Sequence, residues 1–105
     1  METNNKDKKV GIIAYEALGT AFLMYGLMVT KASADAVATL YAVLMYFAWK
    51  VSGGHFNPAI SVGMYVSEMK LGDNALTLVL MVVSQFLGAF LGLLFGFLAL
   101  IDKDW

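Results

Sequence analysis

Ser52-Gly53-Gly54-His55-Phe56-Asn57-Pro58-Ala59-Ile60-Ser61-Val62-Gly63, set between two long apolar runs, decides the fold of this chain. Asn57 is a good cap for a helix start. Pro58 directly after it suits the first helical position, where its missing N–H costs nothing. The two glycines ahead of them tolerate an unwound, tightly packed backbone. The stretch therefore predicts irregular backbone running into a short helix, at membrane depth. A bilayer accepts such backbone only where protein buries it or where it lines a water-filled cavity. That makes the segment a candidate pore lining.

The rest of the composition points the same way. The 105 residues are 60% hydrophobic, and the mean hydropathy is +0.72. The apolar residues fall in long runs rather than amphipathic stripes, and the length fits a single domain. A net charge of −1 and the absence of any arginine leave no basic patch for a nucleic-acid partner. Cysteine is absent, which removes disulfides and thiolate metal sites, and one histidine supplies too few ligands for a metal. Residues 1–9 form a polar, lysine-bearing N-terminal tail, and the apolar run after it is too long for a signal-peptide core. The lipid bilayer is the first partner implied.

Three spans are predicted, over residues 10–29, 36–49 and 75–101. Twenty apolar residues match the hydrocarbon thickness, the second run is short with Lys50 placed to snorkel, and the third is long enough to tilt. Residues 58–68 would rise only roughly 16 Å as a helix, about half a bilayer. Polar turns are expected over 31–35 and 67–73, and residues 102–105 close the chain at an interface. A re-entrant half-helix puts Lys6, Lys8, Lys9, Lys50 and Lys70 on one side and Lys31 and Lys103 on the other. That bias favours an N-terminus on the cytoplasmic or equivalent inner side. A surface helix at 58–68 is the alternative; it keeps the same spans and lysine bias, but the segment has no strongly charged face.

His55-Phe56-Asn57-Pro58-Ala59-Ile60-Ser61-Val62-Gly63 resembles the signature around the first Asn-Pro-Ala motif of the major intrinsic protein family, the aquaporins and glycerol facilitators. Glu16-Ala17-Leu18-Gly19-Thr20 resembles that family's first-helix segment with its buried Glu, and Gln85-Phe86-Leu87-Gly88-Ala89 its third-helix Gln-x-x-Gly-Ala. Order and spacing agree over essentially the whole chain. The resemblance implies an all-α membrane protein with three transmembrane helices plus one re-entrant half-helix, half of an aquaporin-like fold. Family members normally carry two such repeats, inverted relative to each other. Here the second Asn-Pro-Ala and the filter arginine are missing, and the filter aromatic expected in the second helix is Val37.

The resemblance also suggests roles. The Asn57 amide would donate to a passing water or polyol hydroxyl, beyond its plain use as a cap; Pro58 and Ala59 complete the motif. Gly53, Gly54, His55 and Phe56 would offer backbone carbonyls as a ladder of acceptors. The half-helix N-terminus would repel cations with about half an elementary charge. His55 would hold the loop; a proton relay is the competing use. Glu16 would accept hydrogen bonds from the loop amides, with Gln85 as a second prop, rather than carry protons. Gly88, Gly92 and Gly96 recur every four residues, and Gly19 and Gly26 serve the first helix; such small-residue faces let a helix approach closely, whether from this chain or another. Ser52, His55 and Glu68 make no credible triad, and no cofactor is called for, so an enzyme is not expected.

Half a pore needs completing. Three spans leave the termini on opposite sides, so two copies inserted alike are parallel, whereas the family's pore needs an inverted partner. One expectation is a passive channel for water or small neutral solutes, formed with a complementary aquaporin half. The other is a non-conducting structural subunit, packed by its glycine face against other membrane subunits of a larger assembly. Truncation between the repeats would also account for the length.

Overall fold

The computed structural model describes residues 4–69, 72 and 75–103. Four α-helices and no strand lie among them: α1 (Asn5–Val29), α2 (Ala34–Ala48), α3 (Pro58–Ser67) and α4 (Ala75–Leu100). α1 starts earlier than the apolar run alone predicts, so residues 5–9 are helix rather than tail. The Asn4 side chain accepts from Lys6 N at 3.3 Å, Asp7 sits favourably in the first turn, and lysine is a good helix former. α2 begins two residues before the expected start and ends one before the expected end. Ala48 O then accepts from the amides of Val51, Ser52 and Gly53, which closes the helix into the loop. α3 and α4 each end one residue short of expectation. Of the expected turn at 67–73, Lys70, Leu71 and Asp73 fall outside the described residues, as do Met1, Glu2, Thr3, Asp104 and Trp105.

α1 and α4 pack side by side and run parallel. A Cβ placed on Gly88 would lie 2.1 Å from Ala17 O, one on Gly92 2.2 Å from Ala21 O, and one on Gly96 2.9 Å from Met28 Sδ. The glycines at 88, 92 and 96 therefore admit the chain's own first helix at near-backbone contact, and that face is already occupied. α2 runs antiparallel to α1: Gly26 receives Leu40, and forty residues of sequence bring Val51 back against Gly11.

From Val51 the chain travels along α1 again. Phe56 seats its ring on Gly19, where a Cβ would come within 2.0 Å of it, so the loop climbs eight residues of α1, roughly 12 Å. It then reverses into α3, which descends along α4 from Ser61 beside Gln85 towards Thr77. The turn-back point stands near the middle of α1.

The interior is unusual. Among the described residues, the buried polar positions Glu16, Thr20, Ser61, Ser84 and Gln85 stand against only Leu23, Ala48, Phe56 and Met81 among buried apolar side chains. Meanwhile Phe86, Phe90 and Leu18 are 65%, 69% and 61% exposed. Apolar surface on that scale is not tolerated in water and needs lipid or a protein partner to cover it. α1 and α4 are both long and apolar enough to cross a membrane.

Candidate functional site: a loop clamped by a buried carboxylate

Glu16, fully buried on α1, organises the loop. Its Oε1 accepts from His55 N at 3.1 Å, and its Oε2 from Phe56 N at 2.7 Å and from Gln85 Nε2 at 2.9 Å. No cation is among these partners. A carboxylate in a dry interior is tolerable only with such donors, and here they come from loop backbone next to the start of α3, whose dipole adds to the effect. The clamp also holds Phe56 at φ +53°, a left-handed conformation that a bulky residue rarely adopts and that costs about 1–3 kcal/mol.

The network has a fixed polarity. A carboxylate can only accept, so Gln85 must present its Nε2 to Glu16, and its second hydrogen goes to Ser61 Oγ at 2.8 Å. Ser61 Oγ also lies 2.9 Å from His55 Nδ1, donating to it or accepting from it according to the imidazole tautomer. The same logic leaves Gln85 Oε1 buried without a hydrogen bond among the described residues, and Thr20 Oγ1 shares that condition.

Two further contacts pin the loop. Tyr41 OH donates to His55 O at 2.6 Å, and Gly54 N donates to Ser52 Oγ at 3.2 Å. Gly54 has φ +64° and lies so close to Met45 that a Cβ would come within 3.1 Å of Met45 Cα. Glycine is required there on both counts.

Asn57 is exposed and extended at φ −156°, and its Oδ1 accepts from Ala59 N at 2.8 Å. That leaves the amide N–H groups without a partner among the described residues. Pro58 takes the first helical position, and Ala59 is exposed.

The loop also borders a cleft of about 640 Å³ whose walls include Ile12, Tyr41, Met45, Trp49, residues 52–55, Met64, Tyr65 and Met81. Gly53, Gly54 and His55 thus face it, although Tyr41 already occupies the His55 carbonyl. Val37 is not among its walls; it packs against the cluster of Leu23, Ala48 and Phe56. Among the described residues no three His, Cys, Asp or Glu side chains converge.

Glu16, Gln85, His55 and Phe56 are thus drawn into one constellation, with Asn57 at its edge and Val37 outside its hydrogen-bond network, packed against the cluster that holds Phe56. Sequence reasoning passed over Ser61, the hub of the network, and Tyr41, the tether of the loop. Ser61 had a signal, a hydroxyl one turn after the cap in an otherwise apolar helix. Tyr41 had none, being fourteen residues from its acceptor.

Residues 10–103 match the family model of the major intrinsic protein. Comparison with curated proteins and comparison with solved structures gave no match.

Proposed function

Because the chain belongs to the major intrinsic protein family, whose members are integral membrane channels rather than enzymes, we propose that it is one half of a passive channel for water or small neutral solutes. An inverted second half would complete it. One observation carries the reading: the clamped loop turns back beside Gly19, which leaves the N-terminus of α3 and the free amide of Asn57 exposed midway along α1. In a bilayer, that polar tip must meet water or a partner. A helix N-terminus aimed there opposes cations, while the amide and loop carbonyls replace part of a neutral solute's hydration. Three spans and a re-entrant helix are the topology this reading needs, and the parallel α1 and α4 support it.

The test is osmotic swelling of vesicles holding the complex purified from source membranes in mild detergent. Asn57→Asp keeps an oxygen for Ala59 N, so the cap survives, but it replaces the amide donor with a negative charge. Water flux is expected to fall, and exclusion of cations to weaken, with the complex intact. Unchanged flux and selectivity in Asn57→Asp would remove Asn57 from the passage.

A second reading, a non-conducting subunit of a larger membrane assembly, is favoured by one feature: Val37, where the filter aromatic is expected, carries an aliphatic side chain packed against the Leu23, Ala48 and Phe56 cluster. The glycine face gives it no support, since α1 fills that face. Mass spectrometry of the native complex separates the two. A compact particle with a second Asn-Pro-Ala repeat supports the channel, and a large assembly without one supports the scaffold.

A further inference from the structure

Where α2 ends, Tyr46, Phe47 and Trp49 turn their rings outward, and Lys50 follows them. Tyr46 is 81% exposed and Trp49 64%, while Ala48 between them is buried. The Tyr46 and Phe47 rings meet edge to face, with centroids 5.7 Å apart. With Ala42, Met45 and Lys50 these rings wall a second cleft of about 640 Å³ on the outside of α2. Lys50 is the one charged residue among its walls.

The cleft's level is fixed by α1. Val51 lies against Gly11, so Lys50 stands beside the end of α1 that carries Lys6, Lys8 and Lys9. Against these four lysines, that end of the molecule sets Asp7 and Glu68 among the described residues. The eight residues from Ala42 to Lys50 rise roughly 12 Å, close to the about 15 Å of one leaflet's hydrocarbon. Tyr and Trp are side chains that sit with an apolar body in lipid and a polar tip at headgroup level.

We propose that this cleft seats an anionic phospholipid, its headgroup phosphate on Lys50 and one acyl chain against Met45, Tyr46 and Phe47. The order of the walls matches the order of the lipid: a cation at the polar end, rings with polar tips beside it, apolar side chains below. The lysine ammonium, a compact charge with three donors, suits a phosphate. A negative headgroup also offsets the crowding of four lysines at one end. A parallel second copy of the chain fits less well, because it brings its own lysines to the same level, where like charges repel. The site depends on membrane insertion and not on whether the complex conducts.

The chain holds two tryptophans, so Trp105→Phe leaves Trp49 as its one indole fluorophore. The full chain with that substitution is reconstituted in phosphatidylcholine vesicles. These are doped with phosphatidylglycerol or phosphatidylcholine brominated on the acyl chains, and the bromines quench an indole they touch. Brominated phosphatidylglycerol is expected to reach half-maximal quenching at about fivefold lower mole fraction than brominated phosphatidylcholine, the worth of one lysine near a membrane surface. Lys50→Gln is expected to remove that preference. Lys50→Arg, which keeps the charge, and Lys31→Gln, in the turn at the other end of α1, are expected to retain it. Equal quenching by the two lipids overturns the proposal, and so does a preference that survives Lys50→Gln. Loss of the preference in either control counts against a site at Lys50. Quenching by neither lipid, as a second copy covering Trp49 would produce, overturns it as well. Inorganic phosphate, compared with chloride at equal ionic strength, is expected to leave the preference in place. If phosphate alone abolishes it, Lys50 holds a soluble anion and the lipid site is refuted.

Discussion

Glu16→Gln is the sharpest perturbation of the clamp, because it conserves shape and removes only charge and one acceptor. The carboxylate holds three donors: His55 N, Phe56 N and Gln85 Nε2. An amide can keep its oxygen on the side of Phe56 and Gln85, which sets its NH2 against His55 N–H. That arrangement loses one charge-assisted bond, worth about 1.5–3 kcal/mol, and weakens two others by about 1 kcal/mol each. The opposite orientation loses two bonds and is worse. The clamp is therefore expected to weaken by about 3–5 kcal/mol, while the α1–α4 seam, built on glycine contacts, is untouched. Phe56, held at φ +53°, is then free to relax. Hydrogen exchange reads this directly. Each 1.4 kcal/mol is tenfold, so the amides of residues 55 and 56 should exchange on the order of a hundredfold faster or more. Amides of α1 and α4 serve as the internal reference. Equal protection of residues 52–57 in Glu16→Gln and the unsubstituted chain, with the reference unchanged, would refute the view that this carboxylate holds the loop.

Three glycine predictions follow from the surroundings of Gly92, Gly63 and Gly19. Gly92→Leu is expected to lower the thermal midpoint of the purified chain itself, by an amount equivalent to at least about 1–3 kcal/mol, because the new side chain meets the backbone of Ala21; an unchanged midpoint in detergent would contradict the seam. Gly63→Leu, pointing into open space, should leave that midpoint within about 0.5 kcal/mol of the original, yet dissociate a partner seated on the exposed face of α3, as native gel mobility would report. Gly19→Ala drives a methyl into the Phe56 ring; faster exchange at residues 55 and 56 with little change in α4 is expected, and a uniform loss of protection would count against a local effect.

Legibility differed by the kind of physics involved. The elements themselves were readable, since runs of apolar residues, a cap and a proline are local signals. Helix ends moved by a few residues where polar contacts intervened, as at Asn4, which extends α1 through Lys6 to Lys9. The pairing of Glu16 and Gln85 with the loop was expressed only through the resemblance, because no local pattern links positions 69 residues apart. Where the glycine face points was open, and the answer is internal: three glycines in register with Ala17, Ala21 and Met28 leave no room for a foreign helix. Tyr41 was invisible because its role depends on the loop's path, which folds fourteen residues back upon it.

The energetics of the clamp argue for a partner beyond what the family membership says. Among the described residues, a buried carboxylate has no cation partner, Phe56 is strained, and Gln85 Oε1 has no hydrogen bond. Each of these is unfavourable by one to several kcal/mol, about the size of a typical destabilising substitution. Together they support a single outcome: the tip at Asn57, turned back beside Gly19 with its amide free and the start of α3 exposed. Those features do nothing for an isolated chain, where the tip would face hydrocarbon with unmet donors. They become favourable only when water or an opposing polar surface meets the tip. On the channel reading, the strain is preorganisation for what meets that tip, the water and the inverted second half of the pore.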